Sequence, residues 1–112
     1  MTNTDTTQKM PRLTITFRVE PGCLGPQGNE YVTPFCKQAH QTFQALEADV
    51  IEWNIVPRFD KALDEIEFKL QNKLLNQAQT SKYFNIIERS QEETEELLHN
   101  KIADLIDEFM DQ

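Results

Sequence analysis

All three glycines of this 112-residue chain fall in one stretch of eight residues, Pro21-Gly22-Cys23-Leu24-Gly25-Pro26-Gln27-Gly28. Glycine takes positive φ without a Cβ clash, and proline fixes φ near −65°. A chain that places its glycines nowhere else must turn sharply, or pack its backbone closely, at this point. The alternating residues Leu13, Ile15, Phe17 and Val19 run into the stretch. Their period of two predicts a strand with one buried face. A helix start follows at Thr33-Pro34, an N-cap residue before a proline at the first helical position.

Two readings of the stretch compete. It is a shaped connector, or its backbone amides at Gly22, Gly25 and Gly28 cradle an anion where the loop enters a helix. The spacing G-x-x-G-x-x-G matches neither the dinucleotide nor the P-loop pattern. No lysine or arginine lies between Glu20 and Cys36 to hold a phosphate. Both points favour the connector.

Downstream, Phe35, Ala39, Phe43 and Leu46 share one helical stripe, which predicts a helix over about 34–47. Ile51, Trp53 and Ile55 predict a strand over 50–56, stopped by Pro57. Residues 59–64 read as a connection, and Ile66, Phe68 and Leu70 predict a third strand over 65–71. A turn at Gln71-Asn72 leads to a short extension over 73–75. Asn76 caps a helix over about 77–89. Ser90 with Glu93 forms a capping-box pattern that opens the last helix.

The order is β-α-β-β-α-α. It predicts an α+β two-layer sandwich, a small mixed or antiparallel sheet of at least three strands with helices on one face. The first helix connects its two strands as a parallel crossover. The second and third strands are close enough in sequence to pair antiparallel. Residues 1–10, polar and without an apolar run, read as a disordered tail, and 11–112 as one domain.

The formal charge is −8, and it is unevenly placed. From Glu88 onward the chain carries nine acids and only two bases. Nucleic acid and anionic membrane surfaces need a basic face, so neither is an expected partner. No stretch approaches the length of a membrane span, and the first residues do not resemble a secretory signal. Two cysteines without such a signal point to reduced thiols in a cytoplasmic protein.

Two candidate sites follow. Thr33 as N-cap would put Cys36 at the positive end of a helix, where a thiol pKa falls. His40 lies one turn on, and Cys23 sits in the glycine stretch. Cys23, Cys36 and His40 then read in three ways. They are packing residues, with Cys36 a small buried hydrophobe; or a thiol–disulfide switch; or part of a zinc site lacking an obvious fourth ligand. No cofactor is expected, and Asp60, Asp64, Glu65 and Glu67 read as a solvated charged turn.

The second candidate is the stripe Leu98, Ile102, Leu105 and Phe109 on the last helix. It packs on the sheet, or pairs with a second copy of the chain. The leading functional expectation is a small, non-enzymatic protein-binding module, homodimeric, using this stripe and any open sheet edge. The alternative is thiol redox or metal chemistry at Cys23, Cys36 and His40.

Overall fold

The computed structural model describes residues 10–111. The expected tail lies outside the described residues except for Met10. Four strands run β1 Leu13–Val19, β2 Ile51–Pro57, β3 Ile66–Leu70 and β4 Lys73–Leu74. Three α-helices run α1 Gly28–Phe43, α2 Gln77–Ile86 and α3 Gln91–Met110. A short 3-10 turn, Pro21–Leu24, joins β1 to α1.

The sheet is mixed, in the order β2-β1-β3-β4. β1 lies parallel to β2 and antiparallel to β3, and β3 and β4 form a hairpin. The expected pairing of the second and third strands does not form, because β1 lies between them. The connection 58–65 crosses the end of β1 instead. There the Arg58 amide donates to the Val19 carbonyl at 2.8 Å, and the Arg18 amide to the Glu65 carbonyl at 2.8 Å.

Register aligns Leu13, Ile15 and Phe17 with Ile51, Trp53 and Ile55 on one side, and with Leu70, Phe68 and Ile66 on the other. All nine side chains therefore share one face. The three helices cover that face. Phe43 of α1 meets Trp53 edge-on at 5.0 Å, Phe84 of α2 meets Phe68 at 5.9 Å, and His99 of α3 meets Phe17 at 5.8 Å. The opposite face is polar and carries cross-strand pairs, among them Arg18 with Glu67 at 3.1 Å. The structure is thus the two-layer α+β arrangement that alternation predicts.

α1 begins six residues before Pro34. Its stripe extends upstream to include Gly28, Val32, Phe35, Cys36, Ala39 and Phe43, all buried. Core packing along that stripe outweighs the local cap signal at Thr33. Pro34 interrupts the helical bonding at Glu30. Glu30, Thr33 and Pro34 are exposed, so the broken bond falls on the water side. Gly28 is the glycine that this start requires. A Cβ there would stand 1.7 Å from the Pro21 carbonyl oxygen.

Caps on the later helices form as the sequence indicates. The Asn76 side chain accepts from the Gln79 amide at 2.8 Å, and the Gln79 side chain accepts from the Asn76 amide at 2.9 Å. Ser90 Oγ accepts from the Glu93 amide at 3.1 Å. α2 stops earlier than expected, because Glu88 takes φ 59° and the Arg89 amide reaches back to the Phe84 carbonyl at 3.0 Å. That six-to-one bond is a Schellman closure built without glycine.

Candidate functional site

The C-terminal ends of β1 and β2 and the crossing loop 58–65 come together at one end of the sheet. Arg58 organises this end. Its Nη1 donates to Glu20 Oε2 at 2.7 Å, just before the 3-10 turn. Its Nε and Nη2 donate to the Leu63 carbonyl at 3.1 and 2.9 Å, and Nη2 also reaches the Lys61 carbonyl at 3.4 Å. Arg18 holds the other end of the loop, donating to the Asp64 carbonyl and to Glu67 Oε1. Within the loop, Asp60 Oδ1 accepts from the Ala62 amide at 3.0 Å, and the Leu63 amide donates to the Asp60 carbonyl at 3.1 Å.

Two guanidinium groups thus collect the carbonyls of a short loop that presents apolar side chains to water. Phe59 is 65% exposed, the most exposed large hydrophobic residue among those described, and Leu63 is 43% exposed. A flexible loop would lose entropy on docking; one already bonded at both ends loses less.

The glycine stretch lies beside this loop as a closed turn. The amides of Cys23, Gly25 and Gly28 donate to the carbonyls of Glu20, Gly22 and Gly25 at 3.0, 3.2 and 3.0 Å. Amides engaged in this way do not aim at an anion, so the connector reading fits the geometry. Gly25 has φ 89°. Gly22 has open space around its Cα, and only Gly25 and Gly28 are required by backbone geometry.

Cys23 is exposed in the 3-10 turn and Cys36 is buried, both as free thiols. With α1 starting at Gly28, Cys36 sits in the third turn and not at the positive end. Burial pushes its thiol up to about 12, opposite in direction to the activation expected at a helix start. His40 is turned to the sheet edge, where its Nδ1 accepts from the Ile55 amide at 3.3 Å. Gln44 adds a bond to the Trp53 carbonyl at 3.2 Å. His40 of α1 and Gln44, the residue that ends the helix, satisfy outward-facing groups of β2, an edge strand. Among the described residues no group of three or more His, Cys, Asp or Glu side chains is placed to hold a metal ion.

The stripe on α3 turns inward. Leu98 and Ile102 are buried in the core, and Leu105 and Phe109 pack against it partly buried. Phe109 meets Phe35 at 5.5 Å and Tyr31 at 6.2 Å, both edge-on. Of the two readings of this stripe, the geometry shows packing within the chain. The sheet edges are also blunted: β2 by His40 and Gln44, and β4 by its two-residue length.

Sequence reasoning passed over Phe59 and Leu63. The available signal was an aromatic residue with an apolar partner four residues on, inside a charged connection that has no longer core-facing period. Larger surface grooves lie elsewhere. One of about 530 Å³ involves Phe84, Glu88 and Gln91, and one of about 480 Å³ lies along Glu92, Glu95, Glu96 and His99. No described helix is long and apolar enough to cross a membrane. Comparison with known proteins returns no matching family model, no matching curated protein and no matching solved structure.

Proposed function

We propose that this chain is a cytoplasmic, non-enzymatic protein-binding module that forms a homodimer through the loop 58–65. The observation that carries the reading is the exposure of Phe59 and Leu63 on a loop fixed by Arg58 and Arg18. Apolar anchors held in one geometry are the side chains that dominate interfaces. A two-fold contact lets Lys61 of one copy meet Asp60 or Asp64 of the other, so the loop's charges are self-complementary.

Magnitudes set the strength of such a contact. Burying the exposed parts of two Phe59 and two Leu63 side chains contributes roughly 3–6 kcal/mol before costs. Association itself costs on the order of 4–15 kcal/mol. The anchors alone do not exceed that cost, so the ion pairs between the two loops add to them and the dimer is weak, forming only toward millimolar concentration.

Sedimentation velocity tests the reading. The wild-type chain should move from monomer to dimer as concentration rises from the micromolar toward the millimolar range. Phe59→Ser with Leu63→Ser should remain monomeric with an unchanged thermal midpoint, because both residues are exposed. A wild-type chain that stays monomeric throughout, or a double variant that still dimerises, contradicts the proposal.

The thiol reading is now supported by Cys23 alone, as an exposed thiol in the 3-10 turn. Buried Cys36 does not supply a thiolate, and His40 serves the sheet edge.

A further inference from the structure

A second surface lies on the helix side of the sheet's far edge. Between Glu67 and Glu88 the chain has three lysines and no acidic residue, in a protein of charge −8. This stretch forms most of β3, all of β4 and all of α2. Between α2 and the base of the β3–β4 hairpin it leaves a cleft of about 220 Å³ lined by Leu70 of β3, Leu75 just after β4, and Gln79, Lys82, Tyr83 and Ile86 of α2.

The lining is mainly apolar and already ordered. Ile86 is 50% exposed at the cleft. The Tyr83 ring forms a wall while its hydroxyl donates to the Pro11 carbonyl, so the ring has no polar need of its own to meet there. Lys82 stands at the rim. Lys73 pairs in register with Leu70, so both lie on the helix-side face, and its side chain is exposed. Each of the five ion pairs among the described residues uses an arginine, and none uses Lys73 or Lys82.

From this placement we propose that the cleft between the β3–β4 hairpin and α2 docks an acidic amphipathic helix of a partner protein. An apolar side chain of that helix fills the cleft, and flanking carboxylates pair with Lys73 and Lys82. A helix fits better than an added strand, because β4 offers only two residues for main-chain pairing. A concave cleft also suits a side chain better than a lipid surface, and the chain's overall negative charge opposes anionic lipid. This contact is separate from the dimer loop and stands or falls independently of it.

The test uses the full chain and a fluorescent synthetic helix of about 15 residues. Its leucines recur at i, i+3, i+4 and i+7, and glutamate fills the other positions. A control peptide carries lysine in place of glutamate, and phosphatidylserine vesicles serve as the lipid probe. Fluorescence anisotropy should show binding of the acidic peptide that weakens as salt rises. Lys73→Glu with Lys82→Glu should weaken it by roughly tenfold or more. Ile86→Ser should weaken it several-fold at unchanged thermal midpoint, and Phe59→Ser with Leu63→Ser should leave it unaltered. The proposal is overturned by absence of acidic-peptide binding, by equal binding of the lysine peptide, or by affinity indifferent to the lysine reversals. Preferential binding to the vesicles, or loss of self-association in the lysine variants, would assign the cleft to lipid or to a second copy and overturn it as well.

Discussion

The thiols show how residue environment overrides residue type. Cys23 and Cys36 are thirteen positions apart in the sequence, and their environments are opposite. Cys23 lies exposed in the 3-10 turn, and Cys36 faces the core between Val32 and Ala39. Desolvation favours the protonated thiol of Cys36 in the folded state, raising it from 9.0 to about 12. The unfolded chain therefore releases this proton first as pH rises. The resulting stabilisation is complete below about pH 9 and is lost as pH climbs toward 12. Thiol alkylation at pH 8 should label Cys23 rapidly and leave Cys36 unlabelled until the chain unfolds. Denaturation midpoints should fall between pH 9 and 12, and Cys36→Ala should fall less steeply over that interval. Rapid labelling of native Cys36, or an unaltered slope in the variant, would contradict the assigned environment. The sequence held the candidates for this chemistry but not their burial, because that depends on where α1 begins.

At the scale of elements, the strands were the most legible part. Leu13 to Val19 and Ile66 to Leu70 alternate strictly, and alternation is a direct record of a sheet with one covered face. Asn76 and Ser90 were also legible, because a side-chain cap is a local bond between residues three apart. The start of α1 was hidden. Its first turn is fixed by close backbone packing of Gly28 on Pro21, a contact with no local signature beyond glycine itself. The end of α2 was hidden for the opposite reason, since a glutamate occupies the left-handed position that glycine usually marks. Glu88→Gly should relieve that backbone and stabilise the chain by about 0.5–1 kcal/mol. Urea denaturation measures this directly. A destabilised variant would show that Glu88 makes a contact outweighing its strain.

Across the whole molecule, both layers have settled roles. Helices shield one sheet face, His40 and Gln44 shield the β2 edge, and the acidic α3 turns its apolar stripe inward. Only part of this follows from charge and periodicity. The net charge of α3 was legible, but whether its stripe faced the chain's own core or a partner was not, because an amphipathic helix has the same pattern in either case. Among the exposed large apolar side chains, Met10, Tyr31, Leu74, Leu97 and Met110 lie apart from both candidate surfaces, which are the arginine-held loop with Phe59 and Leu63 and the cleft between the β3–β4 hairpin and α2 with Ile86. Neither has a period that a sequence pattern could reveal, since each is assembled from a connection or from two different elements.

Amide hydrogen exchange, followed at protein concentrations below and above the dimerisation midpoint, tests the central claim most directly. Protection should rise with concentration in residues 58–65 and in the adjoining turn 20–24, with α3 unchanged. Protection that rises along residues 98–109 of α3, or that is indifferent to concentration everywhere, would contradict it.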